Sequence, residues 1–428
     1  MLGSAAQNAI AFTDSLFLAR LSEEAFATIG YVSVFYLIVA AIGYGFSKAG
    51  QILIARRMGQ RDEVGLRQTF QSMLAFEMLL AVGAFLFMQF GAYYLFASML
   101  DSDVVFYGSL DYLSTRKWGV FASYAGIAFI AFYSGIGRTN SLLLATGVLL
   151  ICNVVLDYGL IFGYLGLPAM GIAGAGLAST ISEYVGLATF LTYIYFDKPV
   201  RRLQLFKRQS IDWELIRIQA RISLPVVAQS VVGLGSYLFF FGIVENLGER
   251  ALAITNIVRI VYLSLSVPAW GFATAVNTLT SHFLGRDRRS VVQGLTYKVA
   301  WFCLWVTMAI ALPVVLFPEH LLYPLFGGAQ FDLIVEAKPI FYVLIAILAV
   351  FAYGAVFFNS LVGAGGVYYA LKIQTLGAVI YMILVYVVIE TGIGGLGGAW
   401  ATEILYWILI WYMSARGLSA RRWRGSDL

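Results

Sequence analysis

The amino-acid sequence predicts an all-α polytopic membrane protein, with twelve transmembrane helices in two six-helix lobes related by a pseudo-two-fold axis along the membrane normal. Three observations carry that expectation. Of 428 residues, 61% are hydrophobic and only 12% charged, with a mean hydropathy of +0.83; an ordinary soluble domain carries about 25% charged residues. The apolar runs are continuous rather than alternating, which suits helices and not barrel strands. The chain is also written twice, with a shift of 226 residues.

Twelve apolar spans follow in order, at approximately 2–20, 27–55, 68–98, 117–136, 141–163, 171–196, 222–245, 251–281, 296–317, 339–362, 367–390 and 397–416. The first is interrupted by Gln7, Asn8 and Asp14 and has no basic leader, so it reads as a helix rather than a cleavable signal. It starts almost at the first residue, and a short upstream segment is expected ahead of it. Alternate connections are basic: ARRMGQRDEVGLR, GIGRT, the long segment 197–221, LGRDRRS and the tail ARGLSARRWR. With Lys298 and Lys372 they hold 21 of the 28 Lys and Arg, against five in RLSEE, STRKW, NLGER and VEAKP. The positive-inside rule then puts both termini in the cytoplasm. Basic loops here mean topology, and no nucleic-acid partner is expected. Cys152 and Cys303 lie inside apolar runs, which argues against a disulfide framework.

The repeat sets the domain organisation. RLSEEAFATIGYV (20–32) lies over NLGERALAITNIV (246–258), and YGFSKAGQILIARRMGQ (44–60) over WGFATAVNTLTSHFLGR (270–286). Further on, SGIGRT answers VGAGGV and GIAGAGLA answers GLGGAWA. Six spans per half give both halves one orientation, the parallel type of internal repeat. The lobes are expected at 1–196 and 222–428, the second with a short basic cytoplasmic tail, joined by a cytoplasmic basic linker at 197–221.

Polar side chains inside these spans mark where chemistry is to be sought. In ICNVVLDYGLIFG (151–163), Asn153 and Asp157 stand four apart and share a helix face. A charge there costs roughly 3 kcal/mol on insertion. Counted from the outer helix ends, Asp14 lies about 10 Å deep, Asp157 about 9 Å, Asn153 about 15 Å, and Ser179 and Thr180 about 12–14 Å. Two carboxylates, an amide and a hydroxyl at similar depth are oxygen ligands for a hard cation, or share a proton. The plain alternative is polar glue between helices. Glu183, one turn beyond Ser179, extends this network inward or is itself glue. Glu77 is likewise without a partner in sequence. Glu403 is the nearest second-half counterpart of the Ser179–Thr180 position and either lines the second lobe's cavity or packs, and Tyr36 and Tyr133 either line a cleft or pack. Lys48 and Arg259 read as snorkelling side chains near span ends.

Enzyme signatures are missing. The two histidines, His282 and His320, fall at opposite membrane ends, and no GxxxxGK[ST] phosphate loop occurs. The chain is expected not to be an enzyme and to need no cofactor beyond a coupling H⁺ or Na⁺.

Three stretches carry a family resemblance: TDSLFLARL (13–21); GQILIARRMGQ (50–60), echoed by TLTSHFLGR; and GIGRTNSLLLATGVLLICNVVLDYGLIFGYLGLPAMGIAGAGLAS (135–179). Together they resemble the multidrug and toxic compound extrusion (MATE) family, within the multidrug/oligosaccharidyl-lipid/polysaccharide exporter superfamily, over essentially the whole length. The Asn-x-x-x-Asp pattern with a first-helix Asp resembles the branch related to the DNA-damage-inducible protein F. The resemblance implies a first-lobe cation site from Asp14, Asn153, Asp157 and the hydroxyl near Ser179–Thr180, with Asp14, Asn153 and Asp157 as metal ligands if Na⁺ is the ion. One departure stands out. The seventh-helix acid of the sodium-coupled branch has no counterpart in SVVGLGSYLFFFG (230–242), and Glu245 comes too late. The function expected is a monomeric antiporter, embedded in membrane lipids, exporting small amphipathic or cationic organic compounds by alternating access. The rival is a flippase for a lipid-linked precursor, which needs cleft-lining basic residues beyond Lys48 and Arg259.

Overall fold

The computed structural model describes residues 10, 13–100, 102–207, 212–318, 320 and 331–420. The start of the first span with Gln7 and Asn8, residues 208–211 of the basic connection and the tail beyond 420 lie outside the described residues.

The chain is helical throughout the described residues. Helix α1 covers residues 13–18. It is followed by α2 (Glu23–Gln60), α3 (Glu63–Met99, with a π-turn at Phe87–Gly91), α4 (Asp103–Arg116), α5 (Gly119–Gly135), α6 (Asn140–Phe162) and α7 (Gly171–Phe196). After the short α8 (Lys198–Arg202) come α9 (Trp213–Glu245), α10 (Glu249–Gly285), α11 (Arg289–Leu316), α12 (Phe331–Gly363), α13 (Val367–Thr391) and α14 (Gly395–Ser419). With α4 and α5 counted as one bent helix and the short α8 set aside, twelve helices run along the described residues. Eight helices are long and apolar enough to cross a membrane alone, nine with the bent pair. α7 falls short because its buried stretch carries Ser179, Thr180, Ser182 and Glu183.

The chain divides into two compact units, Met1–Leu224 and Pro225–Leu428, the division falling inside α9 at a proline. Three features differ from the sequence expectation. Residues 213–221 are the first turns of α9, and their Gln219 and Ser223 donate to the Thr69 and Phe46 carbonyls at 3.1 and 3.0 Å. VEAKP lies inside α12, which therefore starts earlier than the apolar run. Most consequentially, the fourth span starts before its apolar core. α4 and α5 meet at a 60° bend, and Arg116, expected in an outer connection, is buried at the elbow.

Close packing in the first unit follows from small residues, because apolar side chains gain little by leaving lipid for protein. A Cβ on Gly174 would lie 2.4 Å from the Leu160 carbonyl oxygen of α6, and one on Gly176 would lie 2.5 Å from that of Tyr112 on α4. The GIAGAG run thus lays the α7 backbone directly on α4 and α6. Two aromatic clusters fill the remaining volume: Tyr36, Phe96, Phe106, Tyr112 and Tyr124 in one, and Phe70, Phe129, Phe132, Tyr133 and Phe190 in the other.

The second unit uses hydroxyls and amides where the repeat pairs its second helix. Asn277 of α10 donates to the Asn359 carbonyl at 3.1 Å, Ser281 donates to that of Gly363 at 2.6 Å, and the Ser360 hydroxyl bonds Thr280 and Thr296. A Cβ on Gly363 would meet the Asn277 carbonyl oxygen at 2.4 Å. Cys152 and Cys303 are free thiols.

Candidate functional site

Asp14 is where four helices of the first unit converge. Its carboxylate is fully buried. The Tyr112 hydroxyl of α4 donates to Oδ2 at 2.8 Å, and Ser179 of α7 donates to Oδ2 and Oδ1 at 2.9 and 3.1 Å. Asn153 Nδ2 of α6 reaches Oδ1 at 3.3 Å and the Ser179 oxygen at 3.4 Å. Local sequence explains the convergence: Asn153 and Asp157 face inward one turn apart on α6, and the glycines of α7 bring Ser179 within reach of α1.

Asp157 is placed differently. It too is fully buried, yet neither of its carboxylate oxygens receives a donor among the described residues. Its polar neighbour is Asp14, whose charge acts on it. The Asn153 Oδ1 is also buried without a donor. So the cluster holds three orphaned acceptor oxygens beside a carboxylate that three donors serve. Two adjacent carboxylates are tolerable only if a proton or a cation sits between them. The oxygens of Asp14, Asn153 and Asp157 fit either, including Na⁺. No group of three or more His, Cys, Asp or Glu side chains suited to a metal ion occurs among the described residues.

Ser179 and Thr180, adjacent in sequence, part company. The Thr180 hydroxyl points to the α4–α5 elbow and donates to the Thr115 carbonyl at 3.0 Å. Thr115 in turn donates to the Ala173 carbonyl at 2.9 Å. The first of these bonds serves a carbonyl that the break would leave bare in lipid. Thr180 belongs to that joint and not to the carboxylates.

Glu183 forms a bidentate ion pair with Arg116, Nη1–Oε2 2.6 Å and Nη2–Oε1 2.7 Å, with both side chains almost wholly buried. The guanidinium lies 3.7 Å over the Tyr36 ring and acts electrostatically on Asp14. Tyr36 therefore supports the arginine. Tyr133 packs among Phe132, Phe190 and Tyr193, away from the carboxylates. Glu77 accepts from Ser47 at 2.7 Å. Lys48 reaches Gln51 at 3.5 Å. In the second unit, half-buried Glu403 accepts from Trp407 Nε1 at 3.3 Å and interacts with the Tyr262 hydroxyl. Arg259 lies 5.4 Å from the Phe241 ring.

Sequence reasoning missed Tyr112 and Arg116. A signal was present: in DVVFYGSLDYLSTR, Phe106, Ser109, Tyr112, Leu113 and Arg116 fall on one helix face, and Asp103, Tyr107 and Asp111 on the other. The charged STRKW end hid it.

Comparison with known proteins gives a consistent outcome. The MatE family model matches residues 1–159 and 225–387. A probable multidrug resistance protein NorM of Mesorhizobium japonicum is 27% identical over 276 residues, 63% of this chain and 58% of that protein. One of Thermotoga maritima is 26% identical over 324 residues, 72% and 66% respectively. The matched part thus spans less than two thirds of these relatives' length. A MATE crystallised in a bent conformation shares the fold with a TM-score of 0.86 at 20% identity, over 99% of this chain and 94% of that one. An outward-facing multidrug resistance MATE family transporter of the MOP superfamily does so at 0.86 and 19% identity, over 100% and 94%. With its model matched across both lobes, the family is settled: the chain is an integral membrane protein of the MatE family.

Proposed function

We propose that the protein is a proton-coupled antiporter that exports small amphipathic or cationic organic compounds by alternating access. The observation that carries this is the unequal treatment of two buried carboxyls. Tyr112, Ser179 and Asn153 all donate to Asp14 and none to Asp157. That arrangement suits a carboxylate at Asp14 and a protonated Asp157 donating to it. Loss of the shared proton would leave two facing negative charges, which favours a different packing of α1. Opposing affinities for proton and substrate then make the exchange obligatory, since coupling between two ligands is reciprocal. One charge moving through the full field yields about 2.3 kcal/mol per 100 mV, roughly a fortyfold concentration ratio.

The names of the NorM relatives support multidrug compounds as the substrate class. Placement in the branch related to DNA-damage-inducible protein F rests on the Asn153-x-x-x-Asp157 pattern. The basic loop asymmetry supports cytoplasmic termini in a bacterial inner membrane. The rival flippase reading gains nothing from Arg116, because Glu183 already occupies its guanidinium.

The experiment is transport in proteoliposomes with pH and Na⁺ gradients imposed separately. Export driven by the pH gradient alone is expected. Export that requires Na⁺ and ignores pH would replace the proton by Na⁺ at the same oxygens.

A further inference from the structure

The second lobe repeats the position of the carboxylate cluster and changes its chemistry. The 226-residue shift sets Asp14 over Phe240 and Tyr36 over Tyr262. Laying SGIGRT over VGAGGV sets Asn153 over Tyr381 and Asp157 over Val385, and laying GIAGAGLA over GLGGAWA sets Ser179 over Glu403. Burial supports this register: Leu18 and Val244, Ala145 and Ile373, and Ala175 and Ala399 are matching buried positions. A contact recurs as well. Where Asp14 meets Asn153, the Phe240 ring lies 6.2 Å from that of Tyr381, and it stands 5.3 Å from Trp400. Two carboxylates, an amide and a hydroxyl are thus replaced by two rings, a valine and one carboxylate.

Glu403 lies about 12 Å along α14 from Gly395. Leu405, Ile408 and Tyr412, exposed on α14, fall on the opposite face, so the partial exposure of Glu403 is to space on the packed side of the helix. Its partners, Trp407 Nε1 at 3.3 Å and Tyr262, are neutral. Among the described residues no Lys or Arg forms an ion pair with it. It also acts electrostatically on Tyr237 of α9, Tyr381 of α13 and Tyr406 of α14. Rings from four helices therefore stand about one carboxylate, with Tyr381 and Tyr406 5.7 Å apart and Tyr262 and Trp400 6.4 Å apart. The Tyr237 hydroxyl is buried without a partner, and Arg259 acts on it from α10. A carboxylate without a counter-ion inside the membrane is costly, and a cation offsets that cost. Ring faces attract a large organic cation, whereas a hard metal ion needs several oxygen ligands, which this lobe has exchanged for rings.

We infer that Glu403 and the rings about it form a binding site for an organic ammonium group, set in the second lobe where the repeat places the carboxylate cluster of the first. The inference rests on the antiport reading above for the occupant's role as cargo, while the binding itself is measured without transport.

The probe is benzyltrimethylammonium, with neopentylbenzene as its uncharged isostere, and the readout is equilibrium binding to the purified full chain in detergent. Wild type is expected to bind the cation, and Glu403→Gln to bind it about tenfold less tightly. Neopentylbenzene should not distinguish the two proteins. Tyr381→Phe keeps the ring and should bind the cation as wild type does, whereas Tyr381→Leu should lose about fivefold. Melting temperatures show which variants are folded, and should Glu403→Gln fail to fold, the Tyr381 pair carries the test. No binding by wild type, equal binding by wild type and Glu403→Gln, or equal losses in Tyr381→Phe and Tyr381→Leu would overturn the site. Transport separates the two readings. Binding that depends on Glu403, without wild-type export under either gradient, leaves the site standing and the antiport reading fallen. Export driven by pH, with binding indifferent to Glu403, does the reverse.

Discussion

Arg116 and Glu183, 67 residues apart, meet through two parallel hydrogen bonds of 2.6 and 2.7 Å inside the first lobe. A pair so placed is costly to break and cheap to replace, because the penalty lies in leaving one charge alone. Arg116→Met or Glu183→Leu is expected to lower stability by about 3–5 kcal/mol. The double substitution should recover most of that loss. Thermal unfolding of the purified protein in detergent checks it; a double variant as unstable as the singles would show that the ion pair is not the cause.

Asp157→Asn keeps the shape of the side chain and removes one titratable group. Protein should reach the membrane in normal amounts and bind substrate, but lose gradient-driven export. Asp14→Asn should match it, and the double variant should be little worse than either, since both changes disable one site. Asn153→Ala should be milder, shifting the cation dependence. The measurement is export per folded molecule, with retained coupling in Asp157→Asn as the contrary result.

Ser179 and Thr180 should separate by their effects. Ser179→Ala removes a donor to Asp14 and should move the pH dependence of export. Thr180→Val strips the Thr115 carbonyl of its donor at the elbow and should cost stability, on the order of 1–2 kcal/mol, with the pH profile in place. Matching pH profiles for the two variants would contradict their assignment to different networks.

Gly176→Ala pushes a methyl group to 2.5 Å from the Tyr112 carbonyl oxygen, where backbone cannot yield. Overpacking of this kind costs about 1–3 kcal/mol. Gly147→Ala, whose added carbon meets no atom within 4 Å, should be neutral. Melting temperatures of the two variants decide it.

Topology is open to labelling. Cysteines replacing Ser102 and Ser290 should react with impermeant reagents from opposite faces of the membrane, Ser290 from the cytoplasmic one. Reaction from one face would contradict the span count.

Spans were legible in the sequence because hydropathy needs no tertiary knowledge, and the convergence of Asp14, Asn153 and Ser179 was legible because depth along a helix follows from residue count. Rotation was not. Ser179 and Thr180 have the same depth, yet about 100° of helix turn separates a carboxylate partner from a backbone partner. Arg116 escaped for another reason. A charged residue at a helix end reads as loop unless its partner is known, and Glu183 declares itself only once the glycines of α7 set the approach to α4. The length of α12 escaped because Glu336, Lys338 and Pro339 mask a helix start that continues through them.

The elbow between α4 and α5 also bears on synthesis. Arg116 is translated 67 residues before the glutamate that neutralises it. At roughly 5–20 residues per second, that leaves the guanidinium without its anion for about 3–13 s. During that interval α4 has reason to stay near the membrane surface while α5 and α6 insert. The arrival of α7 supplies at one stroke Glu183 for Arg116, Thr180 for the broken backbone and Ser179 for Asp14. A chain stalled before residue 171 would hold Arg116 without its anion and the broken backbone without Thr180, a form that membrane quality-control proteases could tell from the finished lobe.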